Sequence, residues 1–205
     1  MTTSALGGLA ALRENERDAR RTLIMDAACR LFAEKDFKQV TVREIAKQAR
    51  VGVGTIYNYY TSLDELFFDI FQKHASDIQQ RLYSQAQKKD ATLHDLCALY
   101  VDYLCTHIPF YQIMSHFMLG GDLMPAATEK LNHIIRQLMD HLEDTLKKTG
   151  PGEDSRITAH ALFAALNGIM ISYARYPGRS DGEIRAHTRR LALRMADIFA
   201  KAHVD

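Results

Sequence analysis

The sequence predicts an all-α protein: an N-terminal three-helix unit of helix-turn-helix type followed by a longer helical body. Three observations carry this. Apolar residues recur at i, i+3, i+4 and i+7 through most stretches of the chain, which is the repeat of one helix face. No run alternates apolar and polar residues as a half-buried strand would. Residues 41–60, TVREIAKQARVGVGTIYNYY, read as two short helices joined by a tight turn.

Taken in order, residues 1–12 read as a mobile tail and residues 1–19 as a flexible arm. Arg13, Arg17, Arg20 and Arg21 make the arm basic, either as a solvated leader or as a segment that meets phosphate or a minor groove. Ile24, Ala27, Ala28, Leu31 and Phe32 then form an apolar helix face that ends near Lys35-Asp36, with Phe37 as a hydrophobic stop. Thr41 and Glu44 fit a capping box, in which hydroxyl and carboxylate each satisfy a free backbone N–H. Val42, Ile45, Ala46 and Ala49 give the next helix its buried face, and Arg43 and Lys47 point elsewhere.

Arg50-Val51-Gly52 is the turn, with Val51 plugging the angle between the two helices. The second helix runs from about Val53 to Tyr60. Ile56 and Tyr60 face inward, which leaves Val53, Thr55, Tyr57, Asn58 and Tyr59 on or near the other side. Phenol and amide groups on so short a helix suit phosphate oxygens or base edges of DNA. A second capping box, Ser62 and Glu65, opens a long helix whose apolar face begins Leu66, Phe67, Ile70, Phe71.

Breaks at Pro109, Gly120-Gly121, Pro125, residues 149–152 and Pro177-Gly178 divide the rest into helices near 62–87, 91–106, 108–119, 125–148, 154–175 and 181–203. The domain reading is an arm over 1–19, the helix-turn-helix domain over 20–61 and a helical domain over 62–205.

Residues 23–68, above all AACRLFAEKDF, TVREIA and GTIYNYY, resemble the DNA-binding domain of the TetR family of transcriptional regulators. Departures from the family pattern are Asp36 and Arg50 where Gly is usual, Gly52 where Ser is common, Val53 where a polar residue is common, and Leu63 where Lys is common. The resemblance implies base contacts from Arg43, Val53, Gly54 and Tyr57, and phosphate contacts from Thr41, Thr55, Asn58 and Tyr59. It also implies a homodimer on a palindromic double-stranded operator, and a C-terminal domain that binds an effector and dimerises.

Composition agrees with such a protein. The 205 residues carry a net charge of +1, so the chain has no generally basic coat. Residues 1–62 nonetheless hold ten Lys/Arg against seven acids, a balance of +3, and the remainder sums to −2. Cys29, Cys97 and Cys105, an odd number without paired spacing, indicate reduced thiols and a cytoplasmic protein. No segment reaches the ~18 consecutive apolar residues of a membrane span. The nine His residues show no metal-ligand spacing, and no catalytic or nucleotide-binding motif occurs. No metal, cofactor or enzymatic role is expected.

In the body, Tyr103, His107, Phe110, Tyr111, Met114 and Phe117, joined by Asn167 and Met170, read as the lining of a site for a small apolar effector. Ordinary core packing is the competing reading of the same stripe. Residues 161–176 are apolar nearly all round, and Leu191, Met195, Ile198 and Phe199 form a stripe near the C-terminus. The resemblance makes these last two helices, with Phe163, the dimer interface. The expected function is a ligand-responsive regulator, released from DNA as a repressor is; the alternative is a helical ligand-binding or scaffold protein with a non-functional helix-turn-helix.

Overall fold

The computed structural model describes residues 3–35, 39–119, 125–149 and 154–202, and the described residues form helices with no strand. Asp36, Phe37 and the glycines at 120, 121, 150 and 152 lie outside them. Helix α1 spans Thr3–Glu34, α2 Val42–Ala49, α3 Val53–Tyr57, α4 Leu63–Ala86 and α5 Leu93–Thr106. Helix α6 spans Ile108–Met118, α7 Pro125–Thr149, α8 Ser155–Tyr173 and α9 Asp181–Ala202. The segment expected as an arm is the leading half of α1, and every residue from 11 to 23 is exposed.

Local chemistry sets the boundaries. At the start of α2, Thr41 and Glu44 form the expected capping box, and Lys35 adds an ion pair to Glu44 at 2.6 Å. Lys35 and the Thr41 N–H together hold the Glu44 carboxyl down at about 2. Arg50 caps the other end in the left-handed conformation, φ 56° and ψ 41°, the position where glycine is easiest. The Val51 N–H bonds back to the Ala46 carbonyl at 3.0 Å and closes the turn. The second expected box is only half formed. Ser62 Oγ accepts from the Glu65 N–H, but the Glu65 carboxylate turns to the N–H and hydroxyl of Thr61. Two caps not foreseen start α5 (Thr92 with Asp95) and α9 (Ser180 with Glu183).

The first four helices and the body share one core. Ile24, Ala27, Ala28 and Phe32 of α1 are buried in one core with Ile45, Ala46 and Ala49 of α2, which α1 packs on, and Phe32 also meets Phe67 of α4. Helix α5 is the centre of the body and packs against α4, α6, α7, α8 and α9. That explains its run of buried Leu93, Leu96, Cys97, Tyr100, Val101 and Leu104. An aromatic seam crosses from the N-terminal unit into the body. Phe32 meets Phe67 edge-on at 5.1 Å, and Phe71, one turn along α4, stacks on Phe110 at 5.6 Å and meets Phe117 at 5.7 Å. Burial raises the thiols of Cys29 to about 11 and Cys97 to about 12, so both behave as small hydrophobes.

Candidate functional site

The helix-turn-helix presents one surface. Ile56 and Tyr60 are buried, as the spacing requires, and this turns Val53, Gly54, Tyr57 and Asn58 outward. Val53 is 37% and Tyr57 55% exposed, so an apolar and an aromatic side chain are open to a partner on this face. A Cβ built on Gly54 would meet nothing within 4 Å, so the backbone there can come close to a flat partner. Arg43 stands exposed on α2. Helical hydrogen bonds continue past Tyr57: Asn58 N–H bonds to Gly54, and the Tyr59 and Tyr60 N–H groups both bond to Ile56 at 2.9 Å.

Of the expected phosphate contacts, Thr41 is engaged within the protein and the other three stand at or near the surface. The Thr41 hydroxyl donates to the Glu44 carboxylate at 2.9 Å and accepts from the Glu44 N–H at 3.3 Å. Its polar capacity is engaged in capping, so it positions α2 and has no free donor for phosphate. Tyr59 is half-buried, at the edge of a recess of about 270 Å³ shared with Arg13, Glu16, Arg17 and Arg20. Thr55 is also half-buried, and Asn58 is exposed.

A polar clamp not foreseen from sequence fixes this surface. Asp69 of α4 takes two bonds from the Arg21 guanidinium, both at 2.6 Å, and a third from the Tyr60 hydroxyl at 2.7 Å. Helix α1, the end of the recognition segment and α4 are thereby held at one carboxylate. Burial, then Asp69, push the Tyr60 phenol far above its ordinary range. The three partners are up to 48 residues apart, so no local pattern announces them.

In the body, the residues expected to line one effector site divide between two places. Phe110 and Met114 border an apolar pocket enclosed by α4–α8, with Phe71, Ala75, Ile78, Tyr100, Ile134, Leu138 and Phe163 as further walls. Its free volume is about 30 Å³, room for a single water. Tyr103 and His107 lie on the other side of α5. They border an open polar groove of about 620 Å³ with Asp77, Arg81, Asp102 and Arg185. Tyr111, Phe117, Asn167 and Met170 are buried in the core. Asn167 is satisfied within the protein: its amide donates to the Phe163 carbonyl at 2.9 Å and its oxygen accepts from Tyr100 at 3.2 Å. It braces α8 against α5, with one amide N–H and the carbonyl oxygen already engaged inside the protein. The extra lining on α4 and α7 has the spacing of any core face, and sequence holds no signal to separate the two.

The helices expected at a dimer interface also differ in detail. Phe163 is only 8% exposed and packs on Tyr100 inside the chain, because the opposite face of α8 is the outward one. Leu191, Met195 and Phe199 are half-buried against the core, and Ile198 is 44% exposed. The exposed stripe of α8 is Ile157, Ala161, Ala164, Gly168 and Ile171, with Ile157 64% and Ile171 67% exposed. Steps of four, three, four and three residues give a heptad seam. Among the described residues, no three His, Cys, Asp or Glu side chains converge as metal ligands, and no helix is long and apolar enough to cross a membrane.

Residues 24–70 match the model of bacterial regulatory proteins of the tetR family. The fatty acid metabolism regulator protein of Bacillus subtilis (strain 168) is 33% identical over 170 residues, covering 73% of this chain and 81% of that protein. The HTH-type transcriptional regulator YhgD of the same organism is 33% identical over 76 residues, so the match spans 39% of its length and 37% of this chain. Among solved structures, a transcriptional regulator from Rhodococcus sp. Rha1 overlays with a TM-score of 0.73 at 15% identity, covering 89% of this chain and 96% of that one. The transcriptional regulator FadR from Bacillus subtilis, in complex with stearoyl-CoA, overlays with a TM-score of 0.67 at 22% identity, covering 85% and 97%. At those identities the overlays establish the fold. The capped α2, the left-handed turn at Arg50, the exposed α3 face and the 33% identity across most of both chains converge on one conclusion: this chain belongs to the TetR family of bacterial transcriptional regulators.

Proposed function

We propose that the chain works as a homodimeric repressor: it holds a palindromic operator and releases it when a long-chain acyl compound, an acyl-CoA thioester, enters the α4–α8 pocket. The observation that carries this is the coupling of the two sites through packed side chains. Phe71 and Phe110 both border the pocket and stack on each other. One turn away on α4, Phe67 touches Phe32 of α1. On α6, the Gln112 amide, oriented by its neighbours, donates to the Phe32 carbonyl at 3.2 Å and accepts from Arg175 beyond the end of α8. Phe67 and Phe71 of α4 and Gln112 of α6 thus link helices that wall the pocket to Phe32 of the DNA-facing unit.

The pocket's size gives the switch its direction. Ligand sites run to roughly 300–1,000 Å³, against about 30 Å³ of free volume here. An acyl chain therefore enters only by displacing α4, α6 or α7. Displacing α4 moves Asp69, and with it the Tyr60 end of the recognition segment. Reversing the balance of the two states from 99:1 to 1:99 takes about 5.5 kcal/mol of differential affinity. Apolar burial at roughly 25 cal/mol per Å² supplies this from about 220 Å² buried in the open state alone. The acyl class is supported by the relative named as a fatty acid metabolism regulator.

The test is a gel shift on the DNA flanking the protein's own gene, with stearoyl-CoA, stearate and free CoA added separately. Release by stearoyl-CoA, with matching weakening of its binding by operator, is the expected result. Failure of the wild-type protein to retard any flanking fragment would support the rival reading, a ligand-binding protein with a silent helix-turn-helix. Gly52, Val53 and Leu63, the last packed against the core where the family commonly has Lys, are the features that favour that rival.

A further inference from the structure

We propose that Arg13 and Arg17, in the exposed stretch 11–23 of α1, bind backbone phosphates of DNA outside the segment read by α3. The inference rests on the DNA-reading surface proposed above and adds a separate contact to it. At 100° per residue, Arg13, Arg17 and Arg20 fall within about 60° of arc on one face of α1. Glu14 and Asp18 lie roughly 100–140° round from Arg13, away from this stripe, and Glu16 adjoins it only at the Arg20 end. Glu16 pairs with Arg20 at 2.9 Å. Among the described residues, Arg13 and Arg17 form no ion pair and stand exposed.

Position favours DNA as the partner. The stripe and Tyr59 border one recess, so the arm lies beside the last turn of the recognition segment. Arg21, one turn further along, is anchored to Asp69 and Tyr60, which fixes where the arm leaves the domain. Two guanidinium groups four residues apart sit roughly 6 Å apart along the helix axis. That separation suits neighbouring phosphates on one strand, and the Tyr59 hydroxyl adds a donor next to them. The contact is to the backbone only, so it is independent of sequence. It also restores cationic contact to a domain that has Leu63 where a lysine is common.

The experiment is fluorescence anisotropy of the full chain on a 30-base-pair (~100 Å) duplex of mixed sequence, from 50 to 200 mM KCl. The variants are R13A/R17A and the charge-conserving R13K/R17K. Each phosphate contact contributes about 0.9 to the slope of log K against log salt. R13A/R17A should be shallower by about 1.8 for each subunit bound, so wild type loses roughly tenfold more affinity across that range. R13K/R17K should keep the wild-type slope. Equal slopes for wild type and R13A/R17A would overturn the arm contact while leaving the α3 surface intact. Wild type that does not bind the duplex at any salt would overturn both. Circular dichroism guards the comparison, since residues 11–23 are exposed and the alanines leave the core untouched.

Discussion

Ile171→Asp tests the α8 seam as a dimer surface. Fully burying an isoleucine is worth about 1.5–3 kcal/mol. Ile171 is 67% exposed, so a partner helix gains roughly two-thirds of that, about 1–2 kcal/mol. A two-fold interface uses each residue twice, which doubles the gain to about 2–4 kcal/mol. Aspartate removes this and adds a carboxylate that must be buried without a partner. At 1.4 kcal/mol per decade the lost apolar burial alone should weaken the dimer by about 30- to 700-fold, and carboxylates that stay ionised weaken it further. Gly168 stands next to Ile171 in the exposed stripe and would face open space if it carried a side chain, leaving room for close helix approach. Sedimentation velocity across nanomolar to micromolar concentrations reads the effect directly. Phe163→Ala is the contrast, since Phe163 is inside the chain and should cost stability without acting on the seam. A wild-type monomer at micromolar concentration, or an Ile171→Asp dimer as tight as wild type, would refute the assignment.

Three further outcomes are expected. Arg43→Ala should weaken operator binding by about 1–3 kcal/mol and relax preference at one base pair; equal loss on every sequence in a competition assay would make Arg43 a phosphate ligand. Arg50→Gly should relieve roughly 1 kcal/mol of left-handed strain and raise the melting temperature by about 2–4 °C; an unchanged or lower midpoint would contradict the strained cap. Burial, then the neighbouring His107, hold the His74 imidazole down at about 4, against an ordinary value of 6.5. The folded state therefore resists a proton that the unfolded chain takes up, so His74's contribution is complete above pH 6.5 and is lost as pH falls toward 4. His74→Phe should flatten the melting temperature across pH 7 to 5, and a dependence identical to wild type would remove His74 as the cause.

The sequence by itself determined whatever is local. The helix faces and the Thr41–Glu44 cap rest on side chains within about one helical turn of each other. The outward Val53, Gly54, Tyr57 and Asn58 follow once Ile56 and Tyr60 are taken inward, and the structure places them so. What only the tertiary structure decided depends on partners far along the chain. Helix α8 is apolar on several faces, so its pattern could not choose between Phe163 and Ile171 as the outward residue; packing on α7, α9 and α5 chose. Likewise Tyr103 and Phe110 belong to one aromatic stripe in sequence, yet α5 stands between the groove that Tyr103 borders and the pocket that Phe110 borders. Asp69 reads as one polar position on an amphipathic helix until Arg21 and Tyr60 are brought to it. Periodicity states which residues are apolar, but burial of one helix among five neighbours is a property of the assembled core, and no single helix carries it.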